Sequence, residues 1–128
     1  MRLLVVEDDV LLLPVLEMSL VDAGYEVAVA GNGCEALDFL EKQDVDLLIT
    51  DISMPVMDGL ALIQALRARR PLLPILAISG GGHGSDRDVL AKARRLGANA
   101  TLAKPFIPDE LILMVEKMRG AGSAAPAV

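Results

Sequence analysis

Five short apolar runs recur along the chain, at residues 2–6, 25–29, 45–50, 75–78 and 100–103, and a stretch with helical spacing follows each. Runs this short, bounded by turn residues, fit strands better than helices, and their near-continuous apolar character fits strands covered on both faces. The intervening stretches are amphipathic. Residues 11–23 put Leu12, Leu16, Leu20 and Ala23 on one face and stop at Gly24. Asn32 can cap a helix over 33–42, with Ala36, Leu37 and Leu40 inward, and Asp58 can cap one over 59–69, with Leu62, Ile63 and Leu66 inward. Ser85 or Asp86 opens a helix that reaches Leu96 and stops at Gly97, and Pro108 opens a last helix running to about Met118. Pro14 falls inside the first helical pattern and predicts an irregular first turn. Five strand–helix units of this length demand an α/β fold, a doubly wound five-stranded parallel sheet with helices on both faces.

The 128 residues suffice for one domain with a sizeable core. With only Tyr25, Phe39 and Phe106 as aromatics, that core must be aliphatic. A net charge of -6 argues against a nucleic-acid surface, which needs clustered Lys and Arg. Cys34 is the single cysteine, so no internal disulfide can form and a reducing compartment is expected. No apolar run approaches the length of a membrane span. The opening MRLLVV meets Glu7 too early for a signal-peptide core. The expected location is the cytoplasm. Residues 1–119 are expected to form the domain, and 120–128, GAGSAAPAV, a flexible tail or linker stub.

In an open parallel sheet, ligands bind beyond the carboxyl ends of the strands. The polar residues of this chain gather at those ends. The first run ends in Glu7-Asp8-Asp9, the third in Asp51, the fourth in Ser79 and the fifth in Lys104-Pro105. Carboxylates crowded on one edge resist ionising together without a counter-charge. A hard divalent cation with oxygen ligands, together with Lys104, supplies it. A carboxylate nucleophile, a cation and a lysine suit phosphoryl transfer, in which the protein mainly positions groups and neutralises charge.

The stretches LLVVEDD (3–9), DLLITDISMPVMDG (46–59), ILAISG (75–80) and LAKPF (102–106) resemble, in order and spacing, the receiver domain of bacterial two-component response regulators, the chemotaxis-regulator-like fold. The resemblance covers residues 1 to about 119. It implies a flavodoxin-like sheet of strand order 2-1-3-4-5. It also implies that Asp51 accepts a phosphoryl group from a sensor histidine kinase or a histidine phosphotransfer protein. Mg²⁺ would be bound by Asp8, Asp51 and the backbone carbonyl of Ser53, with Glu7 acting through water. Ser79 would hydrogen-bond a phosphoryl oxygen, Lys104 would pair with the phosphoryl group, and the Lys104–Pro105 peptide would be cis. Such a chain is not an enzyme beyond its own phosphorylation and dephosphorylation; it acts on a downstream protein and binds neither nucleic acid nor membrane. One position departs from the family pattern. Three residues before the lysine, where an aromatic ring is usual, this chain has Thr101, so coupling from the site to the surface of the fourth helix and fifth strand is expected to differ.

Other readings compete at single residues. Asp51 alone could be a helix cap, Glu7-Asp8-Asp9 a solvated cap cluster, and Lys104 a surface lysine. Asp9 is expected to be a cap, His83 to be solvated, Met54 and Met57 to pack, and Lys92, Arg94 and Arg95 to form a solvated helix face. A phosphohydrolase with an aspartyl intermediate would need a second Asp two residues after the nucleophile, where this chain has Ser53. A flavin-binding flavodoxin would need a phosphate loop where this chain has three acids. The run 80–84 lacks the ending of a P-loop. Two alternatives stay open: a pseudo-receiver that binds partners without phosphorylation, and a receiver fragment of a longer regulator with an output domain.

Overall fold

The computed structural model describes residues 1–54, 57–79 and 86–124. Its elements in chain order are β1 (Arg2–Val6), α1 (Leu12–Asp22), β2 (Glu26–Ala30), α2 (Gly33–Lys42), β3 (Leu47–Asp51), α3 (Gly59–Arg69), β4 (Ile75–Ser79), α4 (Asp86–Leu96), β5 (Ala100–Ala103) and α5 (Pro108–Ala124). The five strands form one sheet of order β2-β1-β3-β4-β5, every neighbouring pair parallel. This is the expected doubly wound, flavodoxin-like arrangement.

Strand alternation divides the core into two layers. Leu4, Val6, Leu48, Ile75 and Ala77 face Leu40 of α2, Leu62 of α3 and Ala93 of α4. Leu3, Val5, Leu47, Ile49, Leu76 and Ile78 face Leu16 and Leu20 of α1 and Leu111 and Val115 of α5. Both layers are almost wholly aliphatic, and each fully buried Leu or Ile contributes roughly 1.5–3 kcal/mol of transfer free energy. The central strand β3 is buried along its whole length, through Asp51.

The helix ends follow their capping residues. Asn32 accepts from the Glu35 N–H at 2.9 Å while the Glu35 carboxylate accepts from the Gly31 N–H at 2.9 Å, and Asp58 accepts from the Ala61 N–H at 2.8 Å. Asp9 caps the approach to α1, its carboxylate accepting from the N–H groups of Leu11 at 2.9 Å and Leu12 at 3.3 Å. Pro14 disturbs α1 less than expected. It is the third helical residue, where the N–H has no partner within the helix, so the chain turns at Val10-Leu11 and then runs regularly. Ala23 is not on the inward face as expected; it is the exposed residue that ends α1 before Gly24.

The last helix also departs from expectation, continuing to Ala124 rather than stopping near Met118. Once a helix is nucleated, each further residue adds a hydrogen bond, and α5 continues through Gly120 and Gly122 despite their low helix propensity. Residues 125–128 lie outside the described residues, as do Pro55, Val56 and the 80–85 segment that contains His83 and Ser85. Among the described residues, no helix is long and apolar enough to cross a membrane.

Candidate phosphoryl and metal site

The sheet register assembles the site. Val6 of β1 is paired with Thr50 of β3, so the next residues along the two strands, Glu7 and Asp51, emerge side by side. On the other side Asp51 is paired with Ile78, Ile78 with Leu102, and Ser79 with Ala103. Ser79 and Lys104 therefore lie one step further out along the same edge, and the Lys104 N–H donates to the Ser79 carbonyl at 2.8 Å.

The side chains converge as the register requires. The Lys104 ammonium donates to Glu7 Oε1 at 3.0 Å and stands 3.6 Å from Asp51 Oδ2. Glu7 is 1% exposed and Asp51 5%, which makes them two of the four buried polar residues among those described, Thr50 and Ser79 being the others. Asp8 reaches solvent beside them. One carboxylate oxygen from each of Glu7, Asp8 and Asp51 lies within 4.8 Å of the other two. Ser53 is exposed in the turn after β3. The Lys104–Pro105 peptide is cis.

Burial makes these charges interdependent. It pushes the Glu7 carboxyl up to about 7, with Asp51 repulsion adding to the rise and the Lys104 hydrogen bond opposing it. Burial likewise raises Asp51 above the usual aspartate range, against the pull of Lys104. Burial alone would lower Lys104, but its bond to Glu7 and the charge of Asp51 outweigh that and raise it. Two buried acids whose ionisation burial disfavours, beside an open third acid, form a donor set that a hard, oxygen-seeking divalent cation of the Mg²⁺ kind fits. Such a cation would supply the positive charge that one ammonium cannot.

The turn out of β3 explains the Asp58-Gly59 pair. The Gly59 N–H donates to the Ile52 carbonyl at 2.8 Å. A Cβ on Gly59 would run into the Asp51 carbonyl oxygen and come within 2.6 Å of Ile52 Cα. The first turn of α3 is therefore pressed directly on the backbone that carries Asp51, and only glycine permits the approach. Thr50 adds a hydroxyl donating to the Asp51 carbonyl at 2.9 Å.

Glu7, Asp8, Asp51 and Lys104 are thus brought together, and Ser79 joins them by its place at the end of β4. Met54 is buried and packs as expected, while Met57 is half-buried against Gly33. Two features were not anticipated. Arg67 is no ordinary surface cation. It donates to the Gly97 carbonyl at 2.8 and 3.0 Å, to the Arg70 carbonyl at 3.0 Å and to Asn99 Oδ1 at 2.7 Å, which locks the end of α3 onto the turn between α4 and β5. Arg94 is not merely solvated: its guanidinium donates to the Thr101 hydroxyl at 3.2 and 3.3 Å. Neither residue type nor spacing signals these ties, because each joins positions that only the folded sheet makes neighbours.

Comparison with known proteins agrees with this geometry. The response regulator receiver domain family matches residues 3–116. The DNA-binding transcriptional regulator NtrC of Escherichia coli K12 is 40% identical over 113 residues, 88% of this chain but 24% of NtrC, so the chain spans about a quarter of that relative's length. The receiver domain of NtrX from Brucella abortus superposes with a TM-score of 0.84 at 34% identity, covering 91% of this chain and 96% of that one. The chemotaxis response regulator CheY4 of Vibrio cholerae superposes with a TM-score of 0.82 at 31% identity, covering 91% and 97%. With its sheet order, its clustered acids and its edge lysine accounted for, this chain belongs to the response regulator receiver domain family of two-component signalling.

Proposed function

We propose that Asp51 accepts a phosphoryl group from the phosphohistidine of a sensor kinase or histidine phosphotransfer protein. The observation that carries this reading is the convergence of the Lys104 ammonium on Glu7 at 3.0 Å and Asp51 at 3.6 Å, beside Asp8. An Asp51 carboxylate oxygen forms the new bond to phosphorus. The P–N bond breaks, and the imidazole nitrogen keeps the electron pair. Lys104 moves its charge onto a phosphoryl oxygen and the Ser79 hydroxyl donates to another. Asp8, Asp51 and the Ser53 carbonyl, with Glu7 through water, would hold Mg²⁺, which would supply charge neutralisation at the transferring group. Water later attacks phosphorus, returning the Asp51 carboxylate and releasing inorganic phosphate.

The chain turns over no other substrate on this reading, since Ser53 offers no acid to protonate a leaving alcohol. A docking face for the phosphodonor lies beside the site. Val10 and Leu11 are each 80% exposed and Met18 is 66% exposed. An apolar groove of about 250 Å³ between α1 and the start of α5, lined by Leu12, Val15, Leu16, Lys104, Pro105 and Phe106 among others, leads to the lysine. The output is a protein contact, whether the receiver acts alone or beside an output domain.

Incubation with acetyl phosphate and Mg²⁺, followed by intact-mass measurement, tests the assignment. The expected result is a gain of one phosphoryl group by the unaltered chain and none by Asp51→Ala. Equal gain by the two chains, or none by either, would overturn it. Sustained turnover of a phosphomonoester would favour a hydrolase instead.

A further inference from the structure

Leu48 in β3 and Ile52 just beyond it both donate their N–H groups to the β4 side, to the carbonyls of Pro74 and Ile78, each at 2.9 Å. This alternation turns the Asp51 carbonyl the other way, toward β1. The pairing of β1 with β3 has by then ended, at Val6–Thr50. Among the described residues, no backbone N–H outside the ladders reaches that carbonyl, and the Thr50 hydroxyl donates to it at 2.9 Å instead. Thr50 is 0% exposed, so no solvent competes for the contact. The first turn of α3 closes on the same carbonyl oxygen at Gly59, and the Gly59 N–H holds the Ile52 carbonyl at 2.8 Å. The peptide between Asp51 and Ile52 is thus held through its N–H by Ile78 and through its oxygen by Thr50.

We propose that Thr50 is a positioning residue for phosphoryl transfer: by satisfying the Asp51 carbonyl, its hydroxyl fixes the Asp51–Ile52 peptide and so aims the Asp51 carboxylate at the incoming phosphorus. This rests on the phosphoacceptor reading of Asp51 and adds a residue that acts through it. A buried carbonyl left without a donor costs the desolvation of that group, so loss of the hydroxyl drives the peptide to turn toward another donor. The backbone that turns is the backbone that carries the nucleophile. A reacting atom moved by a fraction of an ångström slows bond formation even where every other group of the site is in place. The Thr50 methyl group has a separate duty, filling space in the core, and the two duties are separable by substitution.

The test compares Thr50→Val, Thr50→Ser and Thr50→Ala in the full chain. Valine keeps the shape of threonine without its hydroxyl, serine keeps the hydroxyl without the methyl group, and alanine keeps neither. The rate of phosphorylation by acetyl phosphate at saturating Mg²⁺ is followed by intact mass across donor concentrations, beside urea denaturation of each chain. The maximal rate is expected to fall roughly ten-fold in the valine and alanine variants and to stay within about two-fold of the parent in the serine variant. The half-saturating donor concentration should change little, since Lys104 is untouched. Urea should rank the variants differently, with the serine variant unfolding before the parent although it reacts as fast. A valine variant as fast as the parent, or a serine variant slowed as much as the alanine variant, would overturn the role of Thr50 while leaving the phosphoacceptor reading intact. Should the valine variant fail to fold, the serine and alanine pair makes the same comparison. No phosphorylation of the parent would remove both readings.

Discussion

The Lys104 ammonium lies closer to Glu7, at 3.0 Å, than to Asp51, at 3.6 Å, so Glu7 is the lysine's nearer partner. Under the proposed function, Lys104 is thereby placed to exchange Glu7 for an incoming phosphoryl oxygen without crossing the site. The same placement makes it the main counter-charge for two buried carboxylates among the described residues.

Replacing that counter-charge exposes its value. Lys104→Met is expected to destabilise the chain by about 3 kcal/mol near neutral pH, the usual cost of leaving buried charge uncompensated. The loss should shrink at pH 5, below the Glu7 value of about 7, where Glu7 takes up a proton. Urea denaturation of both chains at the two pH values, without added metal, checks it; an equal loss at both would remove charge as the cause.

The raised acids set a pH dependence with a definite sign. Glu7 has a folded pKa of about 7 against an ordinary 4.5, so between these values the folded chain binds more protons than the unfolded one. Stability therefore falls as pH rises from 4.5 to 7, by up to about 3 kcal/mol for this group alone. Asp51 acts in the same direction. Added Mg²⁺ should reverse the fall near pH 7 and do little near pH 4.5. Thermal unfolding across this range, with and without Mg²⁺, measures it, and a Tm that climbs from pH 4.5 to 7 without metal would contradict the account.

Much of this was legible before any coordinates, for reasons that differ by residue. The parallel sheet and the converging ends follow from apolar runs of the right length and from acids, Ser79 and Lys104 placed where those runs stop, whereas the strand order was implied only by the resemblance of four stretches to the receiver family. The caps at Asn32 and Asp58 were legible because capping is local. The end of α5 was not, since Gly120 and Gly122 mark a stop only where the chain gains nothing by continuing. The Arg67 clamp and the Arg94–Thr101 tie were invisible because each joins residues brought together only by the sheet and its packed helices.

The close approach of α3 to the strand end gives a sharper test. Gly59→Ala places a methyl group against the backbone at Asp51 and Ile52, where no flexible side chain can yield. A loss of roughly 1–3 kcal/mol is expected, with slower phosphorylation because Asp51 is displaced. Denaturation and phosphorylation rate should fall together; a variant as stable and as fast as the parent would show that the turn has slack.

Two neighbouring arginines should behave differently. Arg67→Ala removes hydrogen bonds to three acceptors, one at the end of α3 and two in the turn between α4 and β5, and should cost about 1–3 kcal/mol. Arg69 is 61% exposed and pairs with Glu41 at 3.5 Å, so Arg69→Ala should change stability by less than about 1 kcal/mol. Denaturation midpoints of the two variants decide this, and similar losses would mean that the clamp is not specific to Arg67.

The central claim is that Asp51, set beside Glu7, Asp8 and Lys104, is the residue that takes the phosphoryl group. Its most direct test is reductive trapping: the chain is treated with acetyl phosphate and Mg²⁺, then with borohydride, which converts an aspartyl phosphate to homoserine, and is digested and sequenced by mass spectrometry. The account predicts homoserine at position 51 and an unmodified Asp8. Homoserine at another aspartate, or none in a chain shown to be folded, would contradict it.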